Sequence, residues 1–348
     1  MVGLKPFVES LRSVWRFILV RLAYLIIAYF ITITIIFFLP RLVPGNPIAS
    51  QAQAIIQRLA MGALQPEAIA SAWKYLVRMY GLGRPLHEQY IKFILNLFSG
   101  NFGYSMVYYP KTASELIMQA VPYSLILLVP STLIAWIIGN TLGAFATYRG
   151  GKLESALTTF AVIMAQVPPY WLAFLFVYLF VANLKIFPPG EAWSPGLKPS
   201  LTPEFILDFL WHYTLPFTTI VVTSIFGWYL GMRFICVSEL GADYIAYSES
   251  LGVKDKTLFR YVYRNSLLPQ VTGLAISFGT ALAGQTLVEN IFRWPGSGFV
   301  LSRAIGSLDY PVIQGTFAVL TLTLFTANFL VDFIYALIDP RIRLGGGG

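Results

Sequence analysis

The chain has 348 residues, of which 57% are hydrophobic and only 11% charged, against about 45–50% and about 25% in soluble domains. So little polar surface excludes an ordinary water-soluble globule, and the apolar residues gather into long runs separated by short charged stretches, the distribution of a bilayer-spanning chain. The net charge of +8 does not indicate nucleic acid, because the basic residues flank apolar runs without an aromatic-interleaved patch, and the single cysteine, Cys236, excludes an intrachain disulfide and any multi-cysteine metal site.

A spanning helix needs about 20 apolar residues to cross a hydrocarbon core about 30 Å thick. Six runs meet this, at 17–39, 121–147, 157–182, 213–234, 268–291 and 312–337. The first follows Lys5, Arg12, Arg16 and Arg21, as a secretory signal would, but it is too long and no small-residue cleavage site follows, so it is expected to be a retained helix. Arg149, Lys152, Arg233, Lys254, Lys256, Arg260, Arg264, Arg341 and Arg343 join those N-terminal cations on one side. The opposite short loops carry only Lys185, Lys198, Arg293 and Arg303, so both termini are expected in the cytoplasm.

The long external loop between the first two spans shows two amphipathic patterns. Ile69, Trp73, Leu76 and Tyr80 recur at helical spacing after Pro66, and Leu86, Tyr90, Phe93 and Leu97 do so after Pro85. These helices suit either a cap on the membrane surface or a dock for a soluble partner. Span two is expected to begin at Val121-Pro122 and carries Gly139-x-x-x-Gly143, small residues that let a neighbouring helix approach. Span three is interrupted by Pro168-Pro169, which removes backbone hydrogen bonds and predicts a kink or split facing protein or a watery cavity.

The segment between spans four and five, 239–266, is mixed in charge and structured. Tyr244, Tyr247, Ser248 and Leu251 line one face of a short helix, Gly252 supplies the left-handed residue that ends it, and Asp255 is expected to cap a second helix running to Asn265. Such a rigid knob suits a motor subunit's grip better than an idle pore loop. Farther on, Gln285 is a candidate pathway residue. Glu289, near the outer end of span five, and Asp332, within span six, are ionisable groups that must be paired or wet, in structural or gating roles; Arg293 and Arg303 are the candidate partners of Glu289.

The 239–266 segment resembles the coupling loop of ATP-binding-cassette (ABC) importer permeases, in the form of the dipeptide, oligopeptide and nickel branch: Asp243-Tyr244, Ser248, Gly252, Arg264-Asn265 and Leu267-Leu-Pro269. Further matches are Arg41-Leu-Val-Pro-Gly-Asn46, Tyr80-Gly-Leu-Gly-Arg-Pro85, Gly100-Asn-Phe-Gly-Tyr-Ser105, Gln166-Val-Pro-Pro-Tyr-Trp171, Val288-Glu-Asn-Ile-Phe-Arg-Trp-Pro-Gly-Ser-Gly298, Asp309-Tyr-Pro311 and Leu337-Ile-Asp-Pro-Arg-Ile-Arg343. As an ordered set they are highly specific. The chain departs from the pattern at Tyr247 and Ser248, where small residues are expected.

The resemblance implies an all-α membrane protein with six transmembrane helices, a type I ABC importer (MetI-like) core and a long external loop after helix 1. The expected divisions are 1–40, the external loop 41–116, the permease core 117–338 with coupling segment 239–266, and a tail at 339–348. It implies a prokaryotic plasma-membrane permease that forms half of a pathway by alternating access, for di- and oligopeptides first and for oligosaccharides or nickel as alternatives. Expected partners are a second similar permease, two ATPase subunits, an external substrate-binding protein and the bilayer. ATP and Mg would sit on the ATPase subunits, since Gly150-Gly151-Lys152 lacks the spacing of a phosphate-binding loop. Asp243, Tyr244, Ser248 and Gly252 are the expected coupling residues, with Arg260 and Arg264 as charge contacts; Gln285, Glu289, Asp332 and the Pro168-Pro169 bend are the pathway or gate candidates. An embedded hydrolase would need paired aspartates, a serine with a histidine at depth, or a zinc motif, none of which is present. A simple channel would not need the capped segment.

Overall fold

The computed structural model describes residues 4–42 and 84–338, with single positions between 57 and 78. Its helices are α1 (Leu4–Phe38), α2 (Leu86–Phe98), α3 (Ala113–Arg149), α4 (Gly151–Met164), α5 (Pro169–Phe176), α6 (Pro203–Leu240), α7 (Asp243–Ser250), α8 (Asp255–Gly284), α9 (Thr286–Ile291), α10 (Ser297–Gly306) and α11 (Tyr310–Ile338). A 3-10 turn (Leu39–Arg41) follows α1, and a π-helical turn (Val177–Asn183) follows α5. Among the described residues, Ile18–Phe38, α3, α6 and Tyr310–Phe329 are each long and apolar enough to cross a membrane, and α4 with the α5 arm qualifies as a bent pair. The chain is an all-α membrane protein. The fifth expected span lies largely within α8, whose polar first half keeps the helix as a whole less apolar than the others.

Three boundaries differ from the sequence expectations. α3 starts at Ala113 and so contains Pro122 instead of beginning there. The reason is a reciprocal cap: the Glu115 amide donates to Thr112 Oγ1 (3.1 Å) while the Thr112 amide donates to Glu115 Oε2 (3.0 Å), which starts the helix before its apolar run. Span three is split outright, its two arms bent by 90°. Pro169 disfavours helical geometry in its predecessor, and Pro168 is extended at ψ 140°. Finally, α8 is one helix of 30 residues with Pro269 inside it, where a short helix ending near Asn265 was expected before span five.

The chain divides into two compact units, Tyr123–Phe299 and Met1–Pro122 with Val300–Gly348. In the first, α3 lies against α6 at backbone distance. A Cβ on Gly139 would come within 2.5 Å of the Ile225 carbonyl oxygen, and one on Gly143 within 2.7 Å of that of Tyr229, so both glycines serve helix packing. Pro130 has no N–H for the Ile126 carbonyl, and the Tyr213 hydroxyl donates to that oxygen instead (2.9 Å). Leu127, Ala173, Leu215, Ile220, Val288 and fully buried Trp294 form the core of this unit, and the Trp294 indole donates to the Tyr123 carbonyl (3.0 Å).

In the second unit α1 runs along α11, with the Tyr29 hydroxyl donating to the Ala318 carbonyl (3.4 Å) and the Gln314 amide to the Ile36 carbonyl (3.4 Å). The expected helix after Pro85 is present as α2. Its Tyr90 and Phe93 rings lie 5.2 and 5.3 Å from buried Phe37, which fixes α2 against the end of α1. The amphipathic pattern at Ile69 to Tyr80 lies outside the described residues.

Candidate functional site

The polar corner between α6 and α8 is built from its hydrogen bonds outward. α6 ends at Leu240, α7 covers Asp243–Ser250, and the chain reverses at Gly252, whose φ is 73°. The Gly252 amide donates to the Glu249 carbonyl (2.9 Å) and the Val253 amide to the Ser248 carbonyl (3.2 Å), a paired closure that satisfies the helix end and requires a left-handed residue. Nothing lies within 4 Å of where a Gly252 Cβ would stand, so the requirement is conformational and not spatial.

One polar cluster ties the three helices. The Tyr244 hydroxyl donates to Glu239 Oε2 (2.6 Å), and the Asn265 amide donates to the Tyr244 oxygen (2.9 Å). Burial first, then the bond to the Glu239 carboxylate, raise the Tyr244 phenol above its usual range. Beneath the cluster, Ile245 and Val262 are buried with Ala144, Met232 and Cys236. Beside it, the Tyr148 hydroxyl donates to the Asp255 carboxylate and carbonyl, both at 3.0 Å. Asp255 is therefore in the first turn of α8 as a partner of Tyr148; the capping position belongs to Lys254, with no side-chain cap. Arg233 pairs with Glu154 (2.8 Å), joining α6 to α4.

The coupling residues expected from sequence thus converge on one corner, with different tasks. Tyr244 and Gly252 hold its shape, and Ser248 donates to the Tyr244 carbonyl one turn back (2.7 Å). Asp243, Arg260 and Arg264 are exposed, as are Tyr247 (67%) and Leu251 (65%), so the corner presents charges and two apolar side chains outward. Ile245, Glu239 and Tyr148 are structural members that sequence reasoning missed. Ile245 was recoverable, since it is the one large aliphatic residue within α7.

The pathway candidates separate. The Glu289 carboxylate, 2% exposed, accepts from the Ser124 hydroxyl (2.6 Å) and from the amides of Gly298 (2.8 Å) and Phe299 (3.2 Å) at the start of α10. It serves as a distant N-terminal cap. A Cβ on Gly296 would collide with this carboxylate, which accounts for the Pro-Gly-Ser-Gly run. Arg293, expected as a partner of Glu289, instead pairs with Glu191 (3.0 Å), because a left-handed backbone at Arg293 turns it outward. Gln285 is buried at the junction of α8 and α9. The Asp332 side chain lies outside the described residues.

Two sequence motifs prove to be one site. Buried Asp309 accepts from the Ser105 hydroxyl and from the amides of Met106 (3.1 Å) and Val107 (3.2 Å). Ser105 in turn accepts from the Tyr108 amide (2.8 Å). These residues lie about two hundred positions apart, and nothing in their spacing foretold the contact.

Residues 139–344 match the family described as binding-protein-dependent transport system inner membrane component. A protein of Brucella suis biovar 1 (strain 1330) that carries a peptide permease name is 32% identical over 315 residues, which is 89% of this chain and 93% of its own. The oligopeptide transport system permease protein of Bacillus subtilis (strain 168) is 28% identical over 328 residues, 93% of this chain and 98% of that one. The glutathione transport system permease protein of Salmonella paratyphi A is 30% identical over 332 residues, 94% and 99%. With more than half of the chain inside the matched region, the glycine corner included, this chain belongs to the inner membrane components of binding-protein-dependent transport systems, the permease subunits of ATP-driven importers.

Proposed function

We propose that this permease forms half of the pathway of a peptide importer, and that the corner at 239–266 couples it to ATP hydrolysis on other chains. The observation that carries the coupling role is the way Glu239, Tyr244 and Asn265 fasten α7 to the helices on either side, so that a push on the exposed face of α7 moves α6 and α8 as levers. Peptides are favoured as cargo because the relatives above carry peptide, oligopeptide and glutathione names.

In this account a second, similar permease completes the pathway, two ATPase subunits bind Mg-ATP and grip the paired corners, and an external binding protein delivers cargo. The excess of basic residues on the side of the corner and of both termini supports a cytoplasmic location for all three. Asp243, Arg260 and Arg264 meet the ATPase as charge contacts, with Tyr247 and Leu251 as the apolar part of the interface. ATP shifts the bundle between inward and outward states only as far as the closed ATPase pair favours one of them. The bend at Pro168-Pro169, where the helix of the span is interrupted, is the backbone candidate for a wet pathway, and Gln285 is its polar side-chain candidate.

The test is uptake by proteoliposomes holding the complete complex. A radiolabelled tripeptide should accumulate only with internal ATP and the external binding protein, and unlabelled oligosaccharide should not compete. ATP-dependent accumulation of an oligosaccharide or of nickel, with none of any peptide, would overturn the cargo assignment.

A further inference from the structure

Where α1 ends, the second unit holds a cleft with an empty volume of about 710 Å³ including its open mouth. Three cations line it, Arg41, Arg84 and Lys92, and no carboxylate does among the described residues. Arg84 has Glu88 at 3.8 Å, an exposed pair in which neither charge is firmly held. Arg41 is more unusual. Its guanidinium lies 3.6 Å over the Phe37 ring, with Nη1 donating to the Phe37 carbonyl (2.6 Å) and Nη2 to Gln89 Oε1 (3.2 Å). All three of these partners are neutral. Desolvation lowers the Arg41 guanidinium to about 10, the sign of a cation withdrawn from water without a counter-charge.

Withdrawing a charge without pairing it is costly, and a guanidinium has five donors, of which two are used here. What remains matches the planar fork of an oxyanion. Much of the rest of the lining is aromatic or amide, with Phe93, Phe102 and Tyr310 among the rings and Asn96 and Gln314 among the amides. A concave site that sets aromatic rings beside convergent cations and amides fits a small organic molecule better than a flat protein surface does.

We infer that this cleft binds the carboxylate of a small organic solute, with the carboxylate between Arg41 and Lys92 and the apolar portion against Phe102. A free peptide terminus has this chemistry, but the site stands on its own residues, whatever cargo the complex carries.

The test uses the complete complex in nanodiscs of phosphatidylcholine, where no anionic headgroup competes, with N-acetyl-phenylalanine as the probe and its neutral amide as the control. Calorimetry should show the acid binding about tenfold more tightly than the amide, the factor a charge-assisted pair supplies. Exposed Lys92→Gln, which leaves the Arg41 bonds intact, should weaken the acid several-fold and the amide not at all, and Arg41→Gln should remove the preference. Equal binding of acid and amide, or unchanged binding by both variants, would overturn the inference. So would a complex that ignores the acid and retains phosphatidylglycerol through the same two residues, which assigns the cleft to lipid. No readout requires ATP or the binding protein, so this result is independent of whether transport is observed.

Discussion

Glu289 illustrates how one ionisable residue changes meaning once its partners are known. In sequence it is a charge near the end of a span, open to a gating role. In the fold it accepts from the Ser124 hydroxyl and two amides of α10, and both of its oxygens are occupied. Glu289→Ala is expected to strand those donors, at about 1–3 kcal/mol for each buried group left unmade. Glu289→Gln, which keeps one acceptor oxygen, should cost less. Fluorescence-detected thermal unfolding of the purified complex checks the order. Gly296→Ala belongs to the same test, because its Cβ would displace the carboxylate; it should resemble Glu289→Ala. A Glu289→Ala complex as heat-stable as the parent, with transport abolished, would return this residue to the gate.

Among elements, α3 and α6 depend on each other through backbone as much as through side chains. The Tyr213 hydroxyl repairs the carbonyl that Pro130 leaves open. Tyr213→Phe should therefore destabilise by about 1 kcal/mol, in line with hydrogen bonds inside membranes, and the loss should shrink when Pro130→Ala restores an amide donor. A double-mutant cycle on thermal stability reads this coupling, and additive effects would refute it. This scale also shows what the sequence made legible. Apolar runs located four of the six expected spans among the described residues, because a bilayer rewards a simple count of apolar residues, and the paired prolines located the break in a fifth, between α4 and α5. The start of α3 was hidden because its cap, Thr112 with Glu115, is polar and precedes the apolar run. The unbroken course of α8 was hidden because its mixed-charge first half and its apolar second half read as separate elements, although one helix carries through Pro269.

For the whole molecule, the glycine corner to which coupling is assigned by proposal was recognisable from ordered motifs, while its internal wiring was not. Gly252 announced a left-handed turn and has one, at φ 73°. Asn265 and Tyr244 stood in the motif, but the bond between them joins residues 21 positions apart, a relation that no local period encodes. The Ser105 and Asp309 site is the extreme case of the same limit.

The central claim is that a rigid reversal at Gly252 transmits force between the ATPase and the helices. A β-branched residue in the left-handed region costs about 1–2 kcal/mol, whereas Asn occupies it with less strain, and nothing nearby obstructs either side chain. The measurement is peptide taken up per ATP hydrolysed, in proteoliposomes of the complete complex, for Gly252→Val and Gly252→Asn side by side. The account predicts that the Val variant hydrolyses ATP but loses most of its uptake, while the Asn variant keeps a ratio close to that of the parent. A Val variant that transports with the parental ratio would contradict it.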